Sequence, residues 1–174
     1  VTPELAIEAA DRAKLLRRIR ILVSLFMIGL VLSGLTAFPL VWETALLAKW
    51  LGASATSSPD EFTGLTWWIV TVRDALRETD IKYPFLAYGT DWLAFAHLMI
   101  ATAFIGVLRD PVRNIWIIEW ALICCAATIP VILVCGPISG IPLGWQVIDA
   151  SFGVVGCVPL LLCRRDIKEL ACRK

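Results

Sequence analysis

Ile115-Trp116-Ile117-Ile118-Glu119-Trp120-Ala121-Leu122-Ile123-Cys124-Cys125-Ala126-Ala127-Thr128-Ile129-Pro130-Val131-Ile132-Leu133-Val134-Cys135 holds one charged residue, Glu119. As a helix rising 1.5 Å per residue it is about 30 Å long, the thickness of a hydrocarbon core. Its apolar residues surround the helix instead of forming a stripe with a 3.6-residue period. That is the pattern of a lipid-facing span, not of a soluble amphipathic helix. Three further runs share it: Ile21 to Pro39, Phe85 to Leu108 and Ile141 to Cys163. The spacing predicts an all-α integral membrane four-helix bundle, with spans at about 21–39, 85–108, 115–135 and 141–163.

Composition points the same way. Hydrophobic residues make up 59% and charged residues 18%, and mean hydropathy is +0.78. The hydrophobic share and the mean hydropathy lie well above those of an ordinary soluble domain. The net charge of +1 gives no footing for a nucleic-acid partner. The whole chain, 1–174, reads as a single membrane domain with one large extramembrane segment, an outer cap at 40–84.

Basic residues set the expected orientation. Twelve of the sixteen flank one side of the spans: Arg12, Lys14, Arg17, Arg18 and Arg20, then Arg109 and Arg113, then Arg164, Arg165, Lys168, Arg173 and Lys174. Lys49, Arg73, Arg77 and Lys82 lie on the other. The richer side is expected in the cytoplasm, with both termini. The first apolar run exceeds a signal-peptide core of roughly 7–15 residues and reads as a true span. Thr2, Pro3 and Glu4 form a helix start just ahead of it.

Within the outer cap, Val41 to Leu51 reads as a short amphipathic helix and Gly52 to Ser57 as a flexible link. Ser58-Pro59-Asp60-Glu61 is a capping box, predicting a second helix from Pro59 to about Thr79. Its apolar face is expected to hold Phe62, Leu65, Trp68, Ile69, Val72, Ala75 and Leu76, with Arg73 off that face. Trp42, Trp50, Trp67, Trp68 and Ile69 are the expected interfacial docking residues, at the headgroups or against a partner. Gly153 and Gly156 are expected to let the fourth span pack closely, and Pro130 to interrupt the third.

Gly89-Thr90-Asp91-Trp92-Leu93-Ala94-Phe95-Ala96-His97, Arg109-Asp110-Pro111-Val112-Arg113-Asn114-Ile115-Trp116 and Gly140-Ile141-Pro142-Leu143-Gly144-Trp145-Gln146-Val147-Ile148-Asp149 carry a resemblance. Together they resemble a group of small bacterial multi-pass inner-membrane proteins, over most of residues 31 to 163. The resemblance implies a bacterial cytoplasmic membrane and four spans. It implies no activity.

An ionisable side chain at the centre of a span costs about 2.5–3.5 kcal/mol on insertion scales, so each needs a reason. Asp91 and Asp149 lie at similar depths from the outer ends of the second and fourth spans, with Gln146 one turn from Asp149. They are expected to approach each other, with Gln146 bridging. Two such carboxylates would share a proton or hold a cation. The plainer alternative is that each bonds locally to backbone, Trp, Tyr or Gln146, or faces outer-side water. His97, the single histidine, lies near mid-span. It could ligate haem or chlorophyll magnesium, relay a proton, or bond neutrally across helices. One histidine is no zinc site, and the sequence names no cofactor. Glu119 is expected to pair with Arg109 or Arg113.

Cys124, Cys125, Cys135, Cys157, Cys163 and Cys172 include no C-x-x-C pair, and the outer cap has none. They read as small apolar packing residues and not as a disulfide framework. The chain has no Gly-rich phosphate loop, H-E-x-x-H or G-x-S-x-G. Three function classes remain. One is a non-catalytic accessory or structural subunit with protein partners or a second copy in the bilayer. Another is a small cation-coupled transporter or channel component built on Asp91 and Asp149. The third is a membrane cofactor binder, or an enzyme, built on His97.

Overall fold

The computed structural model describes residues 3–172 and is all-helical, with no strand among the described residues. The helices are α1 (Pro3–Ala37), α2 (Leu40–Trp50), α3 (Gly64–Lys82), α4 (Ala87–Ala103), α5 (Ile105–Arg109), α6 (Ile115–Ile138) and α7 (Leu143–Cys172). Four stretches are long and apolar enough to cross a membrane: Ala6–Ala37, Pro84–Arg109, Ile115–Ile138 and Leu143–Cys172. They are the four apolar runs, with α1 and α7 continuing well into the charged flanks. Helix α1 begins at Pro3 with Glu4 in its first turn; the expected cap Thr2, and Arg173 and Lys174, lie outside the described residues. Pro130 does not interrupt α6, which runs through it to Ile138. A proline deletes its own N–H bond and crowds the carbonyl one turn back, a cost that long apolar helices tolerate by local adjustment of the backbone.

The chain divides into two compact units. One comprises the residues up to Gly29 and those from Ile100 onward, and the other Leu30–Met99.

In the first unit α6 and α7 form a hairpin. Its turn is made by Gly140 at φ +68, with Ile141 N–H donating to Gly136 O at 2.9 Å. Small residues set the closeness of the pair. A Cβ at Gly153 would collide with Thr128 Oγ1 and stand 2.9 Å from the Cys125 carbonyl oxygen. Gly136 is covered by Gln146, whose Cδ lies 2.6 Å from where a Cβ would be. The expectation that glycines on the fourth span serve packing holds at Gly153. Ile19, Val23, Phe104, Val107, Ile118, Leu160 and Ile167 form the buried core. Phe26 and Phe104 meet with ring centroids 5.1 Å apart.

In the second unit α2 packs on α3, burying Ala48, Ile69 and Val70. The link after α2 is not loose. Arg73, on α3, is 7% exposed and donates from Nη1 to Ser54 O at 2.8 Å and from Nη2 to Ser57 O at 2.7 Å. Its Nε donates to Asp74 Oδ1 at 2.8 Å. The sequence expectation placed Arg73 off the packed face and left this link flexible, and both points are corrected. A buried guanidinium is stable where carbonyls and a carboxylate satisfy its donors.

The capping residues do meet, Ser58 N–H donating to Glu61 Oε1 at 2.6 Å. They close only a single 3₁₀ turn, Pro59–Glu61. Phe62 and Thr63 are extended, and α3 starts at Gly64 and not at Pro59. Gly34 on α1 lies against α4, where a Cβ would be 2.9 Å from Ala94 O and 3.1 Å from His97 Cβ.

Candidate functional site

His97 sits half-buried on α4. Its Nδ1 is 2.8 Å from the Leu93 carbonyl oxygen, one turn back. A carbonyl only accepts, so Nδ1 carries a proton, and in the neutral ring the lone pair is then on Nε2. The hydrogen bond is thus within its own helix and not across helices. No group of three or more His, Cys, Asp or Glu side chains that could hold a metal ion occurs among the described residues. A haem or pigment reading rests on that one lone pair. Asp91 is half-buried on the same helix.

Asp149 and Gln146 lie on α7, in the other unit. Gln146 is buried, and its Nε2 donates to Ile141 O at 2.7 Å. One of its two amide N–H donors is therefore committed to the hairpin turn. Asp149 is half-buried and lines an open groove of about 600 Å³ with Cys124, Thr128, Val131 and Phe152. Neither Asp91 nor Asp149 makes a hydrogen bond or ion pair among the described residues.

Among the expected docking residues, Trp42, Trp50 and Trp67 are exposed. Ile69 is 2% exposed and belongs to the α2–α3 core. Trp68 is half-buried, with its indole Nε1 enclosed and unpartnered. The apolar stripe expected at the headgroups or against a partner therefore divides, because α2 takes the Ile69–Val70 side of α3 and the link after α2 takes Arg73. A groove of about 360 Å³ in this unit is lined by Phe38, Trp42, Leu76, Asp80, Tyr83 and Thr90, among others.

Sequence reasoning missed the carboxylate most removed from water. Asp166 on α7 has 0% exposure, and neither oxygen accepts a hydrogen bond. It is held by charge alone, with Arg18 Nε 3.1 Å from Oδ2 and Arg165 Nε 3.7 Å from Oδ1. Arg164-Arg165-Asp166 reads in sequence as a solvated basic tail. The available signal was Leu160, Cys163, Ile167 and Leu170, an apolar face that continues past the charges at helical spacing. Nearby, Arg164 Nε donates to Glu119 Oε1 at 2.9 Å. Glu119 thus pairs with α7 and not with Arg109 or Arg113. These two ion pairs tie α1 to α7 and α7 to α6 at the end of the unit where the chain's basic residues concentrate.

Comparison with protein-family models, curated proteins and solved structures finds no match.

Proposed function

We propose that this chain is a non-catalytic, multi-pass membrane subunit that docks within a larger membrane complex. The observation that carries the proposal is the partnerless Asp149 carboxylate on the bare α6–α7 pair. Only 11% of the apolar window of α6 is buried within the chain. Ile123, Val131, Leu133 and Val134 on α6, with Phe152, Val154 and Val155 on α7, are exposed. Lipid satisfies such side chains as well as protein does. Asp149 is different, because a partnerless carboxylate beside lipid is costly and a donor from a neighbouring helix removes the cost. Gly29 adds support. It is a mid-helix glycine with nothing within 4 Å of a built Cβ. A glycine there weakens the helix and gains nothing inside this chain, whereas small residues let a second helix approach.

Native mass spectrometry from lipid nanodiscs tests the proposal. The expected species is a fixed stoichiometric complex with a different polypeptide, weakened by Asp149→Asn. A lone chain whose assembly state ignores that substitution would overturn it. Asp149 in its groove also favours a second reading, cation-coupled transport. That reading expects cation flux in proteoliposomes from this chain alone, abolished by Asp149→Asn.

The proposed setting is a bacterial cytoplasmic membrane, a reading that rests on the sequence resemblance, with both termini inside, supported by the basic-residue asymmetry. Ala55 is exposed, so Ala55→Cys should react with an impermeant maleimide added to intact cells. Reaction only after the cells are opened would reverse the orientation.

A further inference from the structure

The arginine-rich run of α1 is divided between two uses. Arg18 reaches across to Asp166 on α7, its Nε 3.1 Å from Oδ2. The packed side of α1 is marked by Ile19 and Val23, both buried. Arg17 and Arg20 point elsewhere, roughly 100–160° round the helix from Ile19 at 3.6 residues per turn. Both are exposed, and both line an open groove of about 610 Å³ along α1. Neither has an ion-pair partner among the described residues. The reason is local. The residues three and four away from Arg17 are Ala13, Lys14, Arg20 and Ile21, and those from Arg20 are Leu16, Arg17, Val23 and Ser24. No carboxylate therefore stands at helical pairing distance from either guanidinium. Asp166 and Glu119 are already taken, by Arg18 and Arg164. Further along α1 the same groove passes to Ile21, Ser24 and Leu25, where Ile21 and Leu25 are exposed. From Arg17 to Leu25 the helix rises about 12 Å. One groove thus offers two unpaired guanidiniums at its polar end and exposed aliphatic side chains beyond them.

We propose that this groove holds one anionic phospholipid, its phosphate paired to Arg17 and Arg20 and an acyl chain laid along Ile21 and Leu25. A guanidinium fork matches phosphate oxygens two at a time, and the i, i+3 spacing sets the two heads side by side. A zwitterionic headgroup carries its own cation to the same place and so gains less. A free phosphate would meet the arginines but leave the aliphatic half of the groove bare, whereas a lipid fills both halves. The assignment rests on α1 crossing a bilayer and not on the subunit role proposed above. Arg12 and Lys14 belong to the same basic run but lie outside the groove. They therefore separate a site from a diffuse field of charge.

The experiment places the full chain in nanodiscs of equimolar phosphatidylglycerol and phosphatidylcholine, and native mass spectrometry identifies the lipid kept on release. One phosphatidylglycerol is expected to stay on the chain in preference to phosphatidylcholine. Arg17→Gln or Arg20→Gln alone should cut that preference about fivefold and the pair roughly 30-fold, the effect of one basic residue each at an anionic surface. Both arginines are exposed, so these variants should unfold at the parent's temperature. Arg12→Gln with Lys14→Gln should leave the preference unchanged, and excess glycerol phosphate should not strip the lipid. An equal loss in the Arg12 and Lys14 variant would reduce the site to diffuse surface charge and overturn it. Release by glycerol phosphate would overturn the acyl half of the assignment. A chain that enters the nanodisc and keeps both lipids alike would overturn the site alone. A chain that does not enter would overturn the membrane reading, and the site with it.

Discussion

Arg18→Met is expected to destabilise the folded chain by about 3 kcal/mol, the lower end of the range for breaking a buried ion pair by removing one partner. The two partners are not equivalent. Asp166 has a side-chain exposure of 0% and Arg18 one of 46%. Without Arg18 the carboxylate stays enclosed, with no hydrogen bond and with only Arg165, 3.7 Å away, to oppose its charge. Without Asp166 the guanidinium simply turns to water. Asp166→Leu places an apolar side chain among Cys163, Ile167 and Leu170 and should change stability by no more than about 1 kcal/mol. The double variant Arg18→Met with Asp166→Leu should recover most of what the first loses. Equilibrium unfolding in detergent micelles gives all three values. An Arg18→Met variant as stable as the parent, or a double variant no better than Arg18→Met alone, would show that charge does not hold this corner.

The four long apolar helices were legible because a helix able to cross lipid obeys a simple rule. It must be apolar all round for about 30 Å, and the four runs meet that rule without reference to any neighbour. The glycine of the α6–α7 contact was legible for a related reason, since a small residue in a span asks for a close neighbour. Side-chain identity alone could not show which face of a helix meets which element. Arg73 has the composition of a solvated position, yet it is buried because the carbonyls of Ser54 and Ser57, sixteen to nineteen residues away, satisfy its donors. Glu119 has basic residues nearby in sequence and pairs instead with Arg164, forty-five residues on. Asp166 is the extreme case, hidden in a stretch whose charges advertise water. The capping box at Ser58–Glu61 shows the opposite failure. A correct local bond formed, but it closed one turn and did not nucleate the helix, because nucleation needs several consecutive residues in helical conformation. For the candidate site, Asp149 and His97 were visible as isolated polar residues in apolar runs. The α6 residues that Gly153 meets, Cys125 and Thr128, were not, since they depend on the rotation of α6 against α7.

Replacing Gly153 separates packing from helix propensity. An added Cβ meets Thr128 Oγ1 and the Cys125 carbonyl at 2.9 Å. A hydroxyl can rotate away, but a backbone carbonyl inside α6 cannot. Gly153→Ala should therefore cost about 1–3 kcal/mol, the range for overfilling a packed contact, despite alanine's better helix propensity. Gly153→Leu should separate α6 from α7 altogether and cost more than Gly153→Ala. Gly29→Ala is the matched control. It is also a mid-helix glycine, but nothing lies within 4 Å of its built Cβ. In the isolated chain it should be neutral or stabilising by up to about 1 kcal/mol. In the assembled complex it should weaken association if Gly29 seats a partner helix. Thermal unfolding of both variants, with native mass for the second, makes the comparison. Equal stability of Gly153→Ala and Gly29→Ala would mean that the α6–α7 spacing is not set by glycine.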